Sequence, residues 1–203
     1  MALKLRYSPA SPFVRKVLAF AHEAGLADRI ERIPTDVWAD DSAFYQDNPL
    51  GKVPALVTEA GTFIGSALCC DYLDALHGGR RLIPVGPNER WPVLQLHALA
   101  DGIMEAAVAR VVEALRRPKA FVYQGNIDRQ TAKIARTLDA VETQAQSLGD
   151  RVDLATITLA CAVGYLDFRL PDLDWHRGHD TIARWYAGFE TRPSMKATQP
   201  RLA

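Results

Sequence analysis

Leu3, Leu5 and Tyr7 alternate with Lys4 and Arg6, the period-two pattern of a strand with one face against a core. The apolar set then shifts to Val14, Val17, Leu18 and Ala21, which is helical spacing, and Gly25 offers a C-terminal stop. Strand becomes helix across only four residues, 8–11, with Ser11 at the N-cap and Pro12 in the first helical position, where its missing N–H is harmless. Residues 29–34 (RIERIP) predict a second strand, parallel to the first through a right-handed crossover. The acid-rich stretch 38–48 has no firm period and reads as a loop with one short helix. Strands over 53–57 and 62–65 flank Glu59, Ala60 and Gly61 as an antiparallel hairpin. Ser66 is expected to cap a helix carrying Leu68, Cys69, Tyr72, Leu73 and Leu76 and closed by Gly78 and Gly79. Residues 80–88 (RRLIPVGPN) read as a linker, and beyond them helical spacing predicts helices over 92–115, 128–148, 154–169 and 181–190. The pattern therefore divides the chain into an α/β domain over 1–79, a linker over 80–88 and an all-helical bundle over 89–203.

Composition narrows the class without changing this picture. With 203 residues, 48% hydrophobic and 24% charged, the chain can bury a substantial core. Its formal net charge of zero gives no global reason to expect nucleic acid or an anionic membrane as a partner. The segment 154–166 (LATITLACAVGYL) is almost wholly apolar yet too short to span a bilayer, which makes it the central core helix, with Asp153 and Thr156 as a capping pair at its start. Three cysteines, Cys69, Cys70 and Cys161, make an odd count in helical runs, and the adjacent Cys69 and Cys70 are poor candidates for a mutual disulfide, the usage of a reducing, cytoplasmic compartment. His176, His179 and Asp180 read as a loop ending in a helix cap rather than as a metal site, because no third ligand stands at zinc spacing.

The candidate chemistry begins at the helix start after residues 8–11. Such a start aims unpaired N–H groups and a positive dipole end at any anion placed before it, and a thiolate is one such anion. A nucleophilic serine would need a base, and neither a Gly-x-Ser-x-Gly turn nor a triad is present. In residues 48–57 (NPLGKVPALV) an Asn-Pro turn and Gly51 lead to Pro54 directly before a strand, a place where proline is tolerated and where an X-Pro bond can be cis.

Taken in order, the Ser11 loop, the Pro54 loop, Ser66 before the third helix, the linker and the capped apolar helix resemble the glutathione S-transferase family. The segments 98–104 (ALADGIM) and 154–169 look especially like its bacterial, serine-type, uncharacterised branch. The resemblance implies an α/β N-terminal thioredoxin-like domain followed by an all-α helical bundle, with glutathione as co-substrate and no metal. It implies that Ser11 donates a hydrogen bond to the glutathione thiolate, with Ser8 and Tyr7 as competitors for that role. It further implies that Lys52 reaches the glycine carboxylate, that Val53 pairs with the peptide of glutathione beside a cis Pro54, and that Gly65 and Ser66 receive the γ-glutamyl end. Asp101 would reach the γ-glutamyl ammonium across the two-fold axis of a homodimer. Many members carry an acid where this chain has Gly65, so one anchor for that ammonium is missing. The expected activity is attack of the activated thiol on a small apolar electrophile held against the helical domain and the C-terminal tail. Glutathione-dependent peroxidase, lyase or isomerase chemistry remains open, as does a transferase-like binding or regulatory protein without catalysis.

Overall fold

The computed structural model describes residues 3–202. These form two compact units, one made of the chain up to Val85 together with the segment from Pro193 onward, the other of Gly86–Arg192.

In the first unit, β1 (Leu3–Tyr7), α1 (Pro12–Glu23), β2 (Ile30–Pro34), α2 (Ser42–Asp47), β3 (Ala55–Thr58), β4 (Gly61–Ile64) and α3 (Ser66–Leu76) follow in order. The sheet runs β2-β1-β3-β4, with β2 parallel to β1 and the other two pairs antiparallel. Leu3 and Leu5 lie wholly inside, as their alternation predicts, and Val14, Val17, Leu18 and Ala21 of α1 join them in the core. α2 is the short helix expected in the acid-rich stretch, and Asp41 caps it by accepting from Ala43 and Phe44 N–H at 3.0 and 3.2 Å. β3 begins at Ala55 rather than residue 53, since Pro54 has no N–H to give to a ladder. At α3 the expected cap is displaced by one position: Ser66 is the first helical residue and Gly65 is the N-cap, with no side chain satisfying the first-turn N–H groups. Residues after α3 are tied down by buried Asp74, whose carboxylate accepts from Leu82 N–H at 2.8 Å and Ile83 N–H at 3.3 Å.

The second unit consists of α4 (Pro87–Arg116), α5 (Gln124–Glu142), α6 (Leu154–Arg169) and α7 (Asp180–Phe189). α4 starts five residues before the expected Pro92, at a second proline, Pro87, which occupies the first turn without penalty. Pro92 then falls inside the helix and withholds a bond only from Asn88, whose exposed carbonyl water can satisfy. α5 is shifted toward the N-terminus for a non-local reason. The buried Glu113 carboxylate of α4 accepts from Tyr123 N–H at 2.9 Å, Asn126 Nδ2 at 3.1 Å and Arg117 Nε at 2.7 Å, fixing the turn into α5. The Tyr123 N–H is the main reason that this carboxyl titrates below its ordinary range; burial opposes it, and Asn126 and Arg117 add to it. α5 also stops at Glu142, because residues 145–147 tighten into a 3₁₀ turn.

α6 matches its expected bounds, and everything from Leu154 to Leu166 is buried. Its cap is reciprocal: the Asp153 carboxylate accepts from Thr156 N–H at 2.9 Å, while the Asp153 N–H donates to Thr156 Oγ1 at 3.0 Å.

α7 does not cap itself. His179 stands at the N-cap without a capping bond; its Nδ1 lies 2.6 Å from the Trp175 carbonyl and its Nε2 3.1 Å from Asp139. The cap comes from α5, where the Glu142 carboxylate accepts from Thr181 N–H at 2.8 Å and Ile182 N–H at 3.0 Å. Burial works to raise the Glu142 pKa, but the bonds from Thr181 and Ile182 outweigh it and hold the carboxyl below its usual value. A folded pKa below the unfolded one means that the stabilisation is present above about pH 4.3 and is lost as pH falls through the lower folded value. Glu142→Gln is expected to lower stability in urea by about 1 kcal/mol at pH 7. The gap should close toward pH 3, and a gap of constant size across that range would refute the assignment.

α7 is followed by α8 (Pro193–Ala197), an element not anticipated from the polar tail sequence. It belongs to the first unit and packs on α1, with Met195 1% exposed.

Candidate functional site at one end of the sheet

Register alone brings the candidate loops together. Arg6 of β1 pairs with Ala55 of β3, and Ala55 pairs with Ile64 of β4. The end of β1, the start of β3 and the end of β4 therefore share one edge of the sheet, from which residues 8–11, residues 53–54 and the Gly65–Ser66 step all depart.

Ser11 caps α1, its hydroxyl oxygen accepting from Val14 N–H at 3.3 Å. A serine hydroxyl has two acceptor sites and one hydrogen to give. Among the described residues nothing accepts that hydrogen, so the capping role leaves the donor role open. The loop before it is a β-turn, with Ser11 N–H donating to the Ser8 carbonyl at 3.2 Å across Pro9 and Ala10. Tyr7 and Ser8 are both half-buried on the same loop, and the Tyr7 carbonyl accepts from Thr35 N–H at 2.9 Å.

The Val53–Pro54 peptide bond is cis, with Val53 half-buried and Pro54 buried. Lys52 is exposed, and its carbonyl accepts from Asn48 Nδ2 at 2.6 Å. Asn48, only 1% exposed, also accepts from Leu50 N–H at 3.0 Å through its Oδ1, so a single amide shapes the loop that presents Lys52 and Val53. The sequence showed Asn48 only as half of an Asn-Pro turn; its buried clamp depends on the folded loop.

Gly65 adopts φ +83, a conformation that costs any L side chain strain, while an added Cβ would meet nothing within 4 Å. The backbone thus favours glycine where an acid would otherwise fit. Ser66 is buried at the uncapped start of α3, where free N–H groups and the helix dipole suit a carboxylate. Cys69, one turn further, is no nucleophile: burial pushes its thiol up to about 12, and its Sγ donates to the Phe63 carbonyl at 3.3 Å. Asp101 lies in the second unit, half-buried on α4. His176, half-exposed, stacks on Trp175 at 4.0 Å between ring centroids.

A mixed four-stranded sheet whose loops collect a helix-capping serine, a cis-proline and the uncapped start of a second helix at one end defines a thioredoxin-like domain. Family models agree: the glutathione S-transferase N-terminal domain matches residues 10–76 and the C-terminal domain residues 124–188. The chain belongs to the glutathione S-transferase family. It is similar to the uncharacterised GST-like protein YibF of Escherichia coli K12, with 36% identity over 98% of both chains. Among solved structures, a glutathione transferase family member from Pseudomonas fluorescens Pf-5 with bound glutathione superposes with TM-score 0.94 and 42% identity, over 99% of this chain and 100% of that one. A glutathione S-transferase from Methylobacillus flagellatus with glutathione bound gives TM-score 0.91 and 32% identity, over 98% and 100% of the two chains.

Proposed function

We propose that this chain binds glutathione at the shared sheet edge and activates its thiol for attack on a small apolar electrophile. One observation carries the reading: Ser11 caps α1 through its oxygen and keeps its hydrogen free at the same edge as the cis Val53–Pro54 bond and the bare start of α3. In this reading Ser11 donates to the sulfur, and Val53 pairs with the glutathione peptide as an added strand would beside Pro54. Lys52 meets the glycine carboxylate, and Gly65 and Ser66 seat the γ-glutamyl carboxylate. Bound glutathione in the Pseudomonas and Methylobacillus relatives supports this assignment.

The chemical requirement is modest. A thiol of pKa near 8.5 is about 3% ionised at pH 7, and lowering it by about two units takes roughly 2.7 kcal/mol. A charge-assisted O–H···S⁻ bond together with a helix N-terminus is of that size. Three free, buried cysteines are consistent with a cytoplasmic setting. A homodimer, with Asp101 reaching the γ-glutamyl ammonium of the partner's ligand, completes the reading, and sedimentation at micromolar concentration that shows only a monomer removes that part of it.

Retention on immobilised glutathione with release by free glutathione tests the proposal. A chain that is not retained favours the second reading, a non-catalytic binding protein, for which the missing acid at Gly65 is the specific support. That position also gives a prediction with two opposed signs. Gly65→Glu is expected to lower stability by about 1–2 kcal/mol through the positive φ. The same change is expected to tighten glutathione binding by about tenfold through the ammonium. Calorimetry and urea unfolding read the two effects separately, and a stable variant with unchanged affinity contradicts both.

A further inference from the structure

The segment after Pro193 is a strap that crosses α1 from its last turn to the loop ahead of its first. At one end Ser194 Oγ donates to Glu23 Oε1 at 2.5 Å. Further along, the carbonyl of buried Met195 lies 3.4 Å from Nη2 of Arg15, itself 6% exposed in the first turns of α1. Thr198, also buried, closes the short helix by donating to the Ser194 carbonyl at 2.7 Å. The strap then reaches the candidate site: Arg201 N–H donates to the Pro9 carbonyl at 3.3 Å.

The atom it holds matters. Pro9 and Ala10 are the two central residues of the Ser8–Ser11 turn, so the Pro9 carbonyl belongs to the turn's central peptide. That peptide can face either way, the alternatives differing in ψ of the first central residue and φ of the second. Asp174 is the one non-glycine residue with positive φ among those described, so the Ala10 φ is not positive and the turn has the type I sense. The peptide whose rotation would change that sense, and with it the approach of the chain to Ser11, is the one gripped by Arg201.

We propose that Arg201 is a positioning residue for Ser11, acting through its backbone N–H and not through its exposed guanidinium. The proposal rests on the reading of Ser11 as thiolate donor. Loss of the grip leaves glutathione bound, because the β3 and α3 loops are untouched, but lets the hydroxyl drift from the sulfur.

The test compares Arg201→Pro, which removes the N–H, with Arg201→Ala, which keeps it. The residue lies outside helix and strand and follows Pro200, so the fold tolerates either change. With glutathione bound, ultraviolet thiolate absorbance against pH is expected to show a midpoint raised by about half a unit in Arg201→Pro, roughly threefold less thiolate well below the midpoint. Arg201→Ala should titrate as the wild type does, and the calorimetric affinity of both variants for glutathione should stay within about twofold of it. A wild-type titration in Arg201→Pro, or an equal shift in Arg201→Ala, overturns the proposal. A wild-type midpoint no lower than that of free glutathione overturns the Ser11 reading itself, and is seen before any variant is made.

Discussion

Ser11→Ala should raise the pKa of bound glutathione by about one to two units, the worth of a hydrogen bond to a charged group. The fraction of thiolate at neutral pH, and conjugation rate with it, then falls roughly 3- to 25-fold from a starting midpoint near 6.5. The same substitution removes the acceptor for Val14 N–H and should lower stability by about 1 kcal/mol. These two effects are separable because the hydroxyl oxygen meets Val14 N–H, whereas the proposed bond to sulfur uses the hydrogen. A cap alone predicts the stability loss with an unchanged thiol titration. If Ser8→Ala or Tyr7→Phe moves the titration and Ser11→Ala does not, the donor is another residue of the same loop. Ser11→Cys is the complementary variant: a cysteine at a helix start becomes a reactive thiolate itself, so thiol exchange should appear as conjugation is lost.

The largest effect on stability is expected from Asp153→Ala. Loss of an N-cap typically lowers stability by about 1 kcal/mol. Here the abandoned donor is also buried, since Thr156 is fully inside, and an unsatisfied buried N–H adds about 1–3 kcal/mol. A total of about 2–4 kcal/mol should appear in urea unfolding. Asp153→Ser or Asp153→Asn, which keep an acceptor, should recover most of it. A loss below about 0.5 kcal/mol in Asp153→Ala would show that water or a shifted backbone meets Thr156 instead.

These two sites were also the most legible in the sequence, because a cap and its receiving N–H are three residues apart. The alternation in β1, the hairpin and the full extent of α6 were readable from equally local patterns, while the parallel crossover to β2 followed from the strand-helix-strand order. What the chain did not disclose depends on distant partners. Glu142 caps a helix about forty residues away, and Glu113 fixes the start of α5 from the preceding helix. α8 has too few residues for a period to show, and its place is set by the surface of α1. At α3 the local signal misled: Ser66 is a good cap by composition, yet the positive φ at Gly65 moves the cap one position back. The cis Pro54 bond was suggested by the family resemblance, whereas the Asn48 clamp beside it was not suggested by anything local.

Because the first unit is sewn from two stretches far apart in the chain, it cannot be finished during synthesis until the segment from Pro193 leaves the ribosome. The second unit is contiguous and has no such wait. A nascent chain that has emerged only as far as Arg192 would therefore carry a completed helical bundle and a sheet domain whose α1 still lacks the cover of α8. That exposed interval makes the segment from Pro193 a vulnerable place for insertions and frameshifts: a change there disturbs the domain whose sheet was made long before it.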